Sequence, residues 1–198
     1  MLQLKRIGVM VAAFGVLMAM GTRAEATPIT GSVTFGGVIA DTNFLTTNSI
    51  DVVNETAVVT CAQLGLCDGS YAPLNLNFVN GTVLNAQYKD FTFNPLPGGG
   101  YNPLWSFNYS GTAYAFNLLN ITSIERSVNG ILLTGTGLAT ITGFDNTAAT
   151  WSFSADKTGR FAFSSTTTAV PDAGTTGVLL GMAVLSLAMV RRRVSLVS

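Results

Sequence analysis

Trp151-Ser152-Phe153-Ser154-Ala155-Asp156-Lys157-Thr158-Gly159-Arg160-Phe161-Ala162-Phe163-Ser164 is the stretch that decides the fold. Trp151, Phe153, Phe161 and Phe163 alternate with small or polar residues, the period of two that sends every second side chain to one buried sheet face. Asp156-Lys157-Thr158-Gly159 separates the two runs with turn formers, so a β-hairpin is expected.

Working outward, the same grammar repeats. Asn129-Gly130 lies between Ser123–Val128 and Ile131–Thr134, and Asn-Gly accepts the positive φ angles of a tight hairpin turn. Asn80-Gly81 offers a further turn between Leu76–Val79 and Thr82–Leu84. Alternation is also visible in Ser32–Phe35, in Leu74–Phe78, and in the run from Tyr114 to Ile121. No stretch of the body combines a helical period with capping signals. Short strands separated by Gly, Asn and Asp predict an all-β body, an antiparallel β-sandwich of jelly-roll type. The breaker-rich segment Asn94–Pro103 is expected to be a surface loop linking its two halves.

Both ends of the chain read as transport signals instead of fold. Lys5 and Arg6 precede an uncharged stretch from Ile7 to Met20, and Ala24-Glu25-Ala26 gives an A-x-A cleavage site. Together they make residues 1–26 a secretory signal peptide, cut after Ala26 by signal peptidase following passage through the secretion translocon. Residues 27–164 are then the β body and residues 165–169 a Ser/Thr linker. At the other end, Gly174 to Val190 carries no charge and lies at the short end of the ~17–25 residues that a spanning helix requires. Arg191-Arg192-Arg193 follows as a basic stop, which by the positive-inside bias leaves the body outside the membrane. One C-terminal transmembrane helix is therefore expected.

The ordered elements of residues 170–198, namely Val170-Pro171-Asp172-Ala173-Gly174, the Gly/Leu-rich apolar run and the three arginines, resemble the tail of PEP-CTERM proteins, more closely of the VPDSG-type variant. Asp172 stands for the Glu of the parent pattern, and Ala173 for its second Pro and for the Ser of the variant. The resemblance implies recognition by an exosortase, a membrane-embedded cysteine transpeptidase that cuts near the motif. It implies a transient inner-membrane stage, delivery to the cell surface or extracellular matrix, and association with exopolysaccharide. The alternative reading of the same residues is a permanent tail anchor.

Within residues 27–165, four bases (Lys89, Arg126, Lys157, Arg160) stand against eight acids, a net of −4, so the formal neutrality of the whole chain comes from its basic termini. A mildly acidic body without basic clusters argues against nucleic-acid binding. Cys61 and Cys67 are the only cysteines, and in an oxidising compartment they are expected to form a bridge. A metal site would need further thiolates or imidazoles, and the chain has no histidine. That absence also excludes His-dependent triads. No cofactor is expected.

Three functional classes follow. The leading one is a non-enzymatic structural or adhesive protein of the surface or matrix. The second is a carbohydrate-binding module with Tyr101 and Trp105 as sugar-stacking candidates, although the Trp105–Phe107–Tyr109 alternation is that of a strand's core face and core packing is the favoured reading. The third is a polysaccharide-active enzyme, which needs only two carboxylates; the acids are scattered through turns with no motif pairing two of them.

Overall fold

The computed structural model describes residues 27–76 and 82–167. In chain order the strands are β1 (Gly31–Val38), β2 (Ser49–Ile50), β3 (Thr56–Val59), β4 (Asn85–Tyr88) and β5 (Phe91–Thr92). Then come β6 (Tyr101–Tyr109), β7 (Thr112–Ser127), β8 (Gly130–Ile141), β9 (Thr147–Asp156) and β10 (Arg160–Thr167). Eight of them close into an antiparallel barrel in the order β1-β3-β4-β6-β7-β8-β9-β10, and β10 pairs back onto β1. Each barrel strand is thus flanked by its nearest neighbours in sequence. β2 and β5 pair with each other outside the barrel.

The expected sandwich is corrected by this closure. Local alternation is the same in a sandwich and in a barrel; only the pairing of the first strand with the last distinguishes them, and that contact spans most of the chain. Gly31 to Val38 lies against Thr167 to Arg160 in unbroken register. The curvature that closure demands is built into β8. Gly135 and Gly137 point inward, where a Cβ would run into the Trp151 ring and the Phe116 ring respectively. Small residues opposite large rings let the wall bend around its contents. Two irregularities in the β7–β8 register, between Leu118 and Asn120 and between Ile121 and Ser123, bend the barrel further.

The two hairpins read from the sequence are present. Phe161 and Phe163 of β10 face Ala155 and Phe153 of β9, and Ser127 pairs with Gly130 across the Asn129 turn. The expected turn at Asn80-Gly81 falls outside the described residues. Leu74 and Asn75 belong to a 3-10 turn, Gly69–Asn75, and not to a strand. A single turn of helix, α1 (Thr60–Leu64), ends at Gly65 in the left-handed conformation. The expected linker is shortened at its start, because β10 runs to Thr167 with Ser165 and Thr167 buried. The expected C-terminal transmembrane helix gains no support: among the described residues no helix is long and apolar enough to cross a membrane, and Gly174–Val190 lies outside them.

Aromatic rings fill the barrel. Phe35 lies 4.5 Å from Trp105 and 5.9 Å from Phe163 between ring centroids. Trp105 stacks on Phe107 and Phe116, and Trp151 stacks on Phe163. An eight-stranded barrel is just wide enough either for side chains to fill it or for one small ligand; these rings take the first course. Each fully buried ring contributes about 1.5–3 kcal/mol of transfer free energy.

The pairings also define two ends. The segment 39–55 with β2, the segment 89–100 with β5 and the turns at 128–129 and 157–159 lie at one end, here called the far end. Residue 27, residue 167 and the β3–β4 connection with α1 lie at the other, the terminal end.

Candidate functional site

At the far end the wall thins. Tyr101, the first residue of β6, pairs with Leu118, and beyond that point β7 pairs with β8 alone. Arg126, near the tip of β7, turns back over the gap. One of its guanidinium nitrogens donates to the Thr47 carbonyl at 2.6 Å and, more loosely, to the Phe44 carbonyl at 3.4 Å; the other donates to Asn48 Oδ1 at 2.8 Å. The guanidinium also lies 5.0 Å above the Phe93 ring, an arrangement that the planar delocalised cation favours. The Asn48 carbonyl in turn accepts the backbone N–H of Phe93 at 2.8 Å and of Asn94 at 3.3 Å. Phe44, Ile50, Phe91 and Phe93 are buried beneath this knot and close the barrel.

Two open grooves of about 380 Å³ each lie at this end. The first runs between the β7–β8 tip and β9, with Glu125, Arg126 and Asn129 among its polar residues. The second lies between the loop Phe93–Leu96 and the β7 stretch 120–124. Its apolar surface comes from Pro95, Leu96, Ile121 and Ile124, with the buried Phe93 beneath. Asn94, Asn120, Thr122 and Ser123 supply amides and hydroxyls, and no lining residue is charged. The Asn94 amide leans on Asn48 Oδ1 at 3.4 Å.

The terminal end is closed by the β3–β4 connection. Cys61 and Cys67 are joined by a disulfide with Cα atoms 4.8 Å apart. Just beyond the bridge, Asp68 accepts the backbone N–H of Ser32 at 2.5 Å and its hydroxyl at 2.9 Å. Ser70 N–H donates to the Thr30 carbonyl at 2.8 Å. The backbones approach so closely that a Cβ on Gly31 or on Gly69 would collide with the main chain opposite, and both glycines have positive φ, 101° and 54°. Tyr71 is buried beneath this segment. Desolvation, with a smaller contribution from Tyr114 nearby, pushes its phenol well above the ordinary range; burial does the same to Tyr88.

Of the two sugar-stacking candidates, Trp105 takes the core position that its alternation favours, and Tyr101 is half-buried. Trp105 is 1% exposed and holds the centre of the aromatic stack, so it offers no ring face to a ligand. The Tyr101 hydroxyl accepts the Thr92 N–H at 2.7 Å, and its ring meets the edge of Phe91. Ala24, Ala26, Val170 to Gly174 and Arg191 to Arg193 lie outside the described residues. Several acids accept main-chain hydrogen bonds: Asp41 and Asp156 staple their own turns through the N–H groups of Asn43 and Thr158, and Asp90 accepts the N–H of Val52, 38 residues away. No group of three or more His, Cys, Asp or Glu among the described residues could hold a metal ion. The sequence reading missed Arg126 and Asn48. The one visible signal was the charged pair Glu125-Arg126 in an otherwise uncharged strand run.

Comparison with known proteins adds one positive finding, and it falls on the tail. No curated protein and no solved structure matches the chain. Residues 169–194 match the VPDSG-CTERM motif. The chain therefore carries a C-terminal sorting signal of the PEP-CTERM type, which marks it as an exported, cell-surface protein handled by secretion machinery and an exosortase-type enzyme.

Proposed function

We propose that this protein is a non-enzymatic structural or adhesive component of the cell surface or extracellular matrix, associated there with exopolysaccharide. The observation that carries the reading is the sorting motif, which begins at residue 169, two positions after β10 ends at Thr167. A barrel joined to its sorting signal by so short a segment is delivered with its terminal end toward the tail and its far end outward.

The wall chemistry supports the same reading. Thr134, Ser152, Ser164 and Thr34 are consecutive partners across four strands, and a parallel row runs through Thr136, Thr150, Thr166 and Ser32. Ser152 and Ser164 share a hydrogen bond at 2.8 Å. Hydroxyls without charge suit a surface that lies against a hydrated, polyhydroxylated matrix. The carboxylates noted above already accept main-chain hydrogen bonds, which supports a role in holding turns over one in acid–base chemistry.

Fractionation of producing cells tests the proposal. Native protein is expected at the surface and with the exopolysaccharide, with an intact mass that lacks Arg191-Arg192-Arg193, while a chain truncated after residue 168 is expected to be released into the medium. Polysaccharide turnover abolished by a single Asp→Asn change would establish an enzyme instead.

A further inference from the structure

We infer that the uncharged groove between Phe93–Leu96 and β7 residues 120–124 is a binding site for neutral oligosaccharide. This deepens the matrix reading above and rests on it for the source of the ligand.

A sugar ring has apolar C–H faces and a rim of hydroxyls that both donate and accept. Recognition therefore calls for an apolar surface bordered by groups that can do both, and primary amides and hydroxyls are those groups. The groove provides this combination. Pro95, Leu96, Ile121 and Ile124 make the apolar surface over the buried Phe93, and Asn94, Asn120, Thr122 and Ser123 stand around it. Its volume of about 380 Å³ falls within the ~300–1,000 Å³ usual for small-molecule sites. No lining residue is charged, and the nearest cation, Arg126, is already engaged by the Phe44 and Thr47 carbonyls and Asn48 Oδ1, so uronic-acid and phosphate-bearing chains would find no free counter-charge to offset their desolvation.

Two further features make the groove more than a surface dent. The loop side is fixed in advance: Arg126 holds Asn48, and Asn48 holds Phe93 and Asn94 through its carbonyl. Binding then requires little new ordering of that loop. The strand side is shaped by the two register irregularities at Leu118/Asn120 and Ile121/Ser123, and such irregularities re-aim side chains beside sites. They also argue against the main competing occupant, an extended peptide added to the free edge of β7. Bulges twist an edge away and disrupt the regular ladder that strand addition needs. The groove lies at the far end, opposite Thr167, the last described residue.

The experiment maps backbone amide shifts of the full chain with a neutral glucose, mannose or N-acetylglucosamine tetrasaccharide, and with a uronic-acid tetrasaccharide as contrast. In parallel, the protein is co-sedimented with exopolysaccharide from the producing cells. Expected shifts are confined to residues 93–96 and 119–124, appear with at least one neutral probe and are absent with the acidic one. The Asn120 side chain has no hydrogen-bond partner among the described residues, so Asn120→Ala should leave the fold intact and weaken binding about tenfold, the equivalent of one well-made hydrogen bond to ligand. Asn94→Ala should act in the same direction. Shifts elsewhere, unchanged affinity in Asn120→Ala, or the same shifts produced by raising protein concentration alone would each overturn the groove assignment. Co-sedimentation separates the two ideas. Wild type and Asn120→Ala that sediment equally without groove shifts sink the groove and leave the matrix role. Groove shifts without any sedimentation sink the matrix role and leave the groove.

Discussion

At the terminal end of the barrel the closing segment is held by a covalent bridge between residues six apart in sequence, Cys61 and Cys67. At the far end, one guanidinium holds closing segments that lie 78 to 82 residues away from it. The first device acts chiefly by restricting the unfolded chain, and it needs little from the rest of the barrel. The second exists only when β7, the 43–48 loop and the loop after β5 have all arrived. The lesson is that a short link stabilises a neighbourhood, whereas the arginine reports on the whole topology. The local device sits where the chain leaves for its sorting signal, and the cooperative one sits beside the grooves.

Both ends rest on one aromatic core, and the largest effect should come from breaking what they share. Phe163 contacts Phe35, Tyr88, Trp105, Phe116 and Trp151. Phe163→Ala is expected to lower unfolding stability by about 3–5 kcal/mol, with hydrogen-exchange protection falling at both ends together. Loss confined to one end would show that the barrel is two weakly coupled halves.

Next in size is the bridge. Replacing both Cys61 and Cys67 by Ala should cost about 2–3 kcal/mol for so short a loop, with faster exchange over 60–75 and little change over 43–52. Arg126→Ala should cost about 2 kcal/mol, since it removes charge-assisted hydrogen bonds and the ring contact at a partly exposed site, and should act in the mirror-image way, opening 43–48 first. Arg126→Lys should recover less than half, because an ammonium cannot span both carbonyls and the Asn48 amide as the fork does. The two lesions share no partner, so their effects in one chain should add to within ~0.5 kcal/mol. A larger coupling would break the picture of separate closures.

How much of this was legible beforehand follows from the range of each signal. The β9–β10 hairpin was written in adjacent residues, Trp151 to Ser164, and so was the Asn129 turn. The disulfide followed from compartment and count. Closure was not legible, because the pairing of Gly31 with Thr167 has no local mark. Trp105 and Tyr101 were ambiguous for the same reason: alternation places a ring on a face, and only the closed wall makes that face an interior. Arg126 was hidden because its partners at 44–48 lie in a segment of turn formers that no pattern ties to β7. Helix α1 was obscured by Val58-Val59-Thr60, β-branched residues that read as strand.

The effects of pH divide the two ends by sign. Tyr71 at the terminal end has a phenol pKa raised by burial above the model-compound value of 10.0. Above pH 10 the unfolded chain releases that proton while the folded chain keeps it, so stability falls as pH rises, by about 1.4 kcal/mol per pH unit for one such group. Tyr71→Phe should remove that share of the slope, and an unchanged slope would mean that the phenol ionises in place. Asp156, in the far-end turn, behaves oppositely. Its carboxyl is held below 3.8 first by the Thr158 hydroxyl and then by the Thr158 N–H. A depressed folded pKa means that its contribution is complete above the unfolded value and disappears as pH falls through the folded one. Acid titration below pH 4 should therefore increase exchange at residues 157–160 before it affects 60–75, and Asp156→Asn should make the two ends respond alike. If 60–75 loosened first in acid, the assignment of this turn to the far end's acid response would fail.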